Sequence, residues 1–208
     1  MFNHTGDSVI LTHMSEHAIR IVDVPSLALR ENLAAHVGGC VAAALDPRGR
    51  YLASGGYDSI VNLFDTSEWI AARTITVCEC VRRRQISPYR IGSRRRADSR
   101  HCCRQAISDL SFSHDGEYLA IAGAGNYIDI VRASILLPFL WFIQLVIVLL
   151  AQCATETGVP LHRVPALASS PKVTWHPSNY VIAYCGQTKP REGGPAPVAV
   201  ISLFGPGL

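Results

Sequence analysis

Apolar and polar positions alternate along this chain in short runs broken by turn residues, and helical spacing is weak throughout. Tyr51 to Ser54 and Ile60 to Phe64 are two such runs, parted by Gly55, Gly56 and Asp58. Asp46-Pro47-Arg48-Gly49 and Ser113-His114-Asp115-Gly116 are turn signals placed just ahead of apolar runs. This punctuation predicts an all-β fold made of short strands. One segment departs from it: Ile135 to Ala151 is almost unbroken apolar sequence, interrupted by Pro138 and Gln144.

The strand pattern repeats. Laying DPRGRYLASGGYDSIVNLFD (46–65) on SHDGEYLAIAGAGNYIDI (113–130) at an offset of 67 brings Gly49 onto Gly116, Tyr51 onto Tyr118, Val61 onto Ile128 and Leu63 onto Ile130. HPSNYVIA (176–183) falls on the first of these at an offset of 130, and SVILTHMSEHAIRIVD (8–23) falls on it at 42. The successive steps are 42, 67 and 63. The second step contains an arginine-rich block, 81–105, of 25 residues; the third contains 131–152, of 22 residues. Without them the steps become 42, 42 and 41. A period of roughly 40–45 residues is that of a propeller blade. The chain therefore divides into blades over 1–80, an insertion at 81–105, a blade at 106–130, an insertion at 131–152, and a terminal blade over 153–208.

AHVGGCVAAALDPRGRYLASGGYDSIVNLFD resembles a WD40 repeat. His36 stands where that family has its inter-blade histidine, Asp58 where it has its turn aspartate, and Phe64-Asp65 where it has Trp-Asp. The resemblance implies a structural hydrogen-bond chain through His36 and Asp58, shortened at Phe64, which has no N–H. In the next unit Gly125 replaces the aspartate. The segments SFSHDG, YIDI, ATETG, VTWHPSNYVIAYCG and ISLFG, in that order and spacing, are similar to the C-terminal half of THO-type WD-repeat subunits. That similarity implies a partial WD40 β-propeller of about four blades, an incomplete ring compared with the seven or so of the family. In closed members an N-terminal strand completes the last blade; here Met1 enters part-way through a blade and the last run ends at Phe204-Gly205. It also implies a non-enzymatic nuclear scaffold, with protein subunits of a larger assembly as partners, in the coupling of transcription to mRNA processing and export.

The two insertions admit several readings. The block VRRRQISPYRIGSRRRADSRHCCRQ can be a nuclear signal, an RNA-binding loop with Tyr89 stacking on a base, or a solvated loop. Cys78, Cys80, His101, Cys102 and Cys103 sit near it, but C-x-C and H-C-C are not the paired C-x-x-C spacing of a zinc knuckle, so no metal is assigned. The apolar run 135–151 has 17 residues, the short end of a membrane span. A span there would place neighbouring strands of one blade on opposite sides of a bilayer, so no membrane association is expected. A further reading covers both blocks. Each begins with Val (81, 131) and ends with Gln (105, 152). Val codons open with GT and one Gln codon is CAG, the usual ends of an intron, so both blocks read as translated, in-frame introns.

Charge follows from that choice. The formal net charge is +3, and nine of the seventeen arginines lie in 81–105. Without both blocks Lys and Arg fall from 19 to 9, Asp and Glu from 16 to 15, and the net charge becomes −6. A propeller of that charge contacts RNA at most indirectly, and the alternative, an RNA-contacting protein, would have to use 81–105. Seven cysteines at 40, 78, 80, 102, 103, 153 and 185 form no regular framework and read as reduced thiols. Met1 to Ile10 has neither a basic start nor a long apolar core, so secretion is not expected. Ser113-His114-Asp115 has the letters of a triad, but consecutive residues on a turn cannot form a nucleophile–base–orienter line. No phosphate-binding loop or dinucleotide fingerprint occurs. Neither a catalytic residue, a cofactor nor a small-molecule substrate is assigned, and 187–197 reads as a long polar hairpin loop, a candidate partner contact.

Overall fold

Alternating runs this short cannot bury an apolar face alone; they do so by pairing into sheets and stacking the sheets. The computed structural model describes residues 1–77, 106–133, 161–166, 172–187 and 198–206, and among these it contains fourteen strands and no helix. The first sheet is β1 (Ser8–Leu11), β2 (Ala18–Asp23) and β3 (Leu29–Ala34). The second is β4 (Cys40–Leu45), β5 (Tyr51–Gly56), β6 (Ile60–Asp65) and β7 (Ala71–Thr76). The third runs β8 (Ile107–Phe112), β9 (Tyr118–Gly123), β10 (Tyr127–Arg132) and β11 (His162–Pro165). The fourth is β12 (Lys172–Trp175), β13 (Ile182–Gln187) and β14 (Ala199–Phe204). Every pairing is antiparallel and joins strands consecutive in sequence, the meander of a propeller blade.

The sheets stack in chain order. Ile10, Ile19, Ile21 and Leu33 of the first meet Leu52 and Phe64 of the second. Val61, Leu63 and Ile75 of the second meet Ile107, Leu119 and Ile121 of the third. Ala120, Ile128, Ile130 and Val164 of the third meet Val173 and Ile182 of the fourth. Each of these large side chains contributes about 1.5–3 kcal/mol when fully buried. The leading strands β4, β8 and β12 lie side by side along the array. Across the last of these seams the amides of Val173 and Trp175 donate to Asp109 Oδ2 and Ser111 Oγ, each at 3.1 Å. Together the four sheets form a partial propeller, an arc and not a closed ring.

The repeat extends to irregularities that composition does not reveal. β2 and β3 break register between Ile21 and Val22, and β6 and β7 break it at the equivalent Leu63 and Phe64. β4 slips at Cys40–Ala42 and β8 at Ile107–Asp109, here at the offset of 67. Such bulges add twist and fix register, so they belong to the module and are not accidents of one blade. Gly49 and Gly116 close equivalent turns at φ +70° and +68°, a region costly for a residue with a Cβ.

Three details differ from the sequence alignment. β1 pairs Ile10 with Ile21, whereas β5 pairs Leu52 with Phe64, so the first hairpin sits one residue out of step with the offset of 42. At equivalent positions the first hairpin is one residue tighter: Leu11 faces Arg20, nine residues on, whereas Ala53 faces Leu63, ten residues on. The residues before β1 are also paired: Phe2 bridges Val9, and the Ile10 amide donates to the Met1 carbonyl at 2.8 Å. Further along, β10 continues through Val131 and Arg132, which face Leu119 and Tyr118, two positions past the boundary drawn from the period. Val131 is a strand former and is buried there. The runs 81–105 and 135–151, together with Cys78, Cys80, Cys102, Cys103, Cys153 and 188–197, lie outside the described residues. No described helix is long and apolar enough to cross a membrane.

Candidate functional site

Strands that alternate in direction put their turns on two opposite rims. One rim carries a buried polar network. His36 follows β3, Ser54 lies within β5, and Asp58 sits in the β5–β6 turn. His36 Nε2 is 2.8 Å from Ser54 Oγ, and Nδ1 is 3.1 Å from Asp58 Oδ1. The backbone amides of Val37 and Ile60 donate to the two Asp58 oxygens at 3.0 and 3.2 Å. The imidazole is fully enclosed, and the carboxylate is 9% exposed. Two sequence-assigned residues, His36 and Asp58, are thus brought together. The third, Phe64, makes no side-chain hydrogen bond; it is buried between the first two sheets. Ser54, which composition did not single out, takes the position opposite Asp58 on the ring. Its signal was a hydroxyl in an otherwise apolar and glycine stretch, since a buried hydroxyl requires a partner.

Gly56 lies beside this network. A Cβ there would stand 2.6 Å from His36 Nδ1 and 2.7 Å from Asp58 Oδ1. Gly56→Ala is therefore expected to cost about 1–3 kcal/mol, read as a lower urea midpoint at unchanged m-value. In the third sheet Gly125 stands at the aspartate position, and the equivalent load is carried elsewhere. Asp129 and Arg163, facing each other on β10 and β11, form a two-pronged ion pair at 2.6 and 2.8 Å. The Arg163 guanidinium also lies 3.7 Å from the centre of the Tyr127 ring. The second sheet places Asn62 and Thr74 at that register, joined by a 2.8 Å hydrogen bond.

The opposite rim is a row of turns linked blade to blade. His4 reaches the Pro47 carbonyl. Arg50 donates to Asp46 Oδ2 at 2.7 Å and to the Gly116 carbonyl at 3.1 Å, and Arg48 and Arg50 both approach Glu117. Tyr180 donates to Asp115 Oδ2 at 2.5 Å and packs against His114, Tyr118 and Trp175. Ser113 donates to Asp115 at 2.6 Å, so Ser113, His114 and Asp115 form a self-bonded turn. Among the described residues no cluster of His, Cys, Asp and Glu has metal-site geometry. Burial pushes the Cys40 thiol up to about 11, with the Asp58 charge adding to it, whereas Cys185 is exposed.

Partial burial disfavours the charged form of Asp115, but hydrogen bonds from Ser113, Tyr180 and the Glu117 amide outweigh it and hold the carboxyl at about 2. A depressed carboxylate stabilises the fold above its unfolded value of 3.8, and that contribution is lost as pH falls through about 2. Asp115→Asn is therefore expected to be less stable than the parent at pH 6. The gap should close between pH 4 and pH 2 in urea titrations; a gap independent of pH would contradict the assignment.

Residues 28–65 match the family model described as WD domain, G-beta repeat. The chain is 28% identical over 188 residues to THO complex subunit 3 of Arabidopsis thaliana, covering 90% of this chain and 44% of that protein. It thus spans under half the length of that curated relative. Among solved structures it is similar to the β-propeller domain of Myceliophteria thermophila Cps50 (Swd1), at TM-score 0.60 and 14% identity over 89% of this chain and 46% of that one. It is similar also to Kuenenia stuttgartiensis hydrazine synthase, at TM-score 0.60 and 16% identity over 90% of this chain and 41% of that one. At such identities the two structures speak for the fold alone. Blade order, strand register and the matched repeat agree: this is an array of propeller blades that carries a WD40 repeat at 28–65 and resembles THO complex subunit 3.

Proposed function

We propose that the chain is a non-enzymatic WD-repeat scaffold of THO type, acting in the nucleus where transcription is coupled to mRNA processing and export. The observation that carries this is the similarity to THO complex subunit 3 along 90% of the chain. The geometry suits display and not turnover. The polar side chains at the first rim are consumed in holding His36 in place, and those at the second rim link neighbouring turns. Loops and turns held on a rigid stack of sheets offer several separate surfaces to protein subunits. RNA contact through 81–105 is the competing reading.

The test is a tagged chain expressed in its own cells. Recovery from nuclear extract with other THO subunits, and retention of polyadenylated RNA in the nucleus on depletion, are the expected results. A cytoplasmic chain free of those subunits would overturn the proposal. Binding to single-stranded RNA that weakens steeply with salt and vanishes on deletion of 81–105 would favour the competing reading.

A further inference from the structure

We propose that 81–105 and 131–152 are intervening sequence added to the four-sheet array, so that a chain without them keeps all four sheets, with other residues in the places of Val131 and Arg132. The support is the hydrogen-bonded register, which measures each insertion without reference to where its edges are drawn. In the second sheet Leu63 faces Arg73, ten residues on. In the third sheet the equivalent Ile130 faces His162, thirty-two residues on. The excess is 22, the length of 131–152. Between the first two sheets, Leu33 of β3 precedes Cys40 of β4 by seven residues. Between the second and third, the equivalent Ile75 precedes Ile107 by thirty-two. Here the excess is 25, the length of 81–105. One strand pairing and one spacing between successive sheets therefore return the two block lengths to the residue.

The chemistry at the junctions agrees. With 131–152 removed, Cys153 and Ala154 follow Ile130 and take the places of Val131 and Arg132. Val131 is 2% exposed, and Cys153 is a small apolar replacement for it. Ala154, in the place of Asp65, then precedes His162 by eight residues, the same spacing as from Asp65 to the equivalent Arg73 in the second sheet. The bulge shared by β2–β3 and β6–β7 falls just there, so the shortened hairpin has a template within the chain itself. The Val and Gln ends of each block fit GT and AG boundaries at these junctions.

Three variants test this: deletion of both blocks, and replacement of 81–105 or of 134–152 in the intact chain by a Gly/Ser segment of equal length, which leaves the buried Val131 and Ala133 in place. The deleted chain is expected to unfold cooperatively, with Tm raised by roughly 5 °C because two long loops are shortened. The Gly/Ser chains should match the parent in Tm within about 2 °C, as loop sequence would not matter. Transcript reads should skip the codons of both blocks. A deleted chain with a lower Tm, Gly/Ser chains that fail to unfold cooperatively where the parent does, or reads that all retain both blocks would each overturn the proposal.

Discussion

Arg163→Ala is expected to lower the unfolding free energy by about 3–5 kcal/mol, the usual cost of leaving a buried charge without its partner. Asp129 is 3% exposed and receives two guanidinium hydrogen bonds from the facing strand. With Arg163 gone, water cannot easily take over at a carboxylate packed between β9 and β11. The stacking on Tyr127 is lost as well, worth about 1 kcal/mol. The second sheet supplies the rescue. Asn62 and Thr74 hold the same two positions with a neutral hydrogen bond, so Asp129→Asn combined with Arg163→Thr should recover most of the loss. Urea denaturation of the two single variants and the double variant gives the coupling directly. A loss under about 1 kcal/mol for Arg163→Ala would mean that the pair behaves as a solvated one.

His36→Ala is expected to cost about 3 kcal/mol. An imidazole-sized void opens between the first two sheets, and Ser54 Oγ and Asp58 lose their shared partner in a buried site. Ser54→Ala alone should cost about 1 kcal/mol, because it deletes one member and leaves His36 bonded to Asp58. Combining the two should cost less than their sum, since the hydroxyl orphaned by the first change is removed by the second. Urea titrations give both values, and strict additivity would show that the three residues do not act as a unit. Because the network joins the end of β3 to the β5–β6 turn, the loss should appear as faster amide exchange in both the first and the second sheet.

Much of this architecture was legible in the sequence because it depends on a repeat. Gly49 and Gly116 carried one turn conformation at one offset, and the alternation in 51–65 and 118–130 gave β5, β6, β9 and β10. His36 and Asp58 were visible through resemblance to a known repeat; Ser54 was not, because a lone serine in a strand has many uses. The Asp129–Arg163 pair stayed hidden for a different reason. The two are 34 residues apart, while their counterparts Asn62 and Thr74 are 12 apart, and only the register relates them. The shared bulges and the linked turns of the second rim are likewise properties of strands already paired, with no residue type of their own. Val131 shows the limit of edge-drawing from a period. A strand accepts any small apolar residue at its next buried position, so β10 runs past the point where the repeat in the sequence stops.

Cross-strand nuclear Overhauser effects between side-chain methyls, on the intact isotope-labelled chain, test the arrangement most directly. Val61 should contact Ile75, and Ile128 should contact Val164, as the same partnership repeated one blade further on. Contacts from Ile128 to a residue within 135–151, with none to Val164, would mean that the apolar run itself completes the third sheet and that the blades are not equivalent modules.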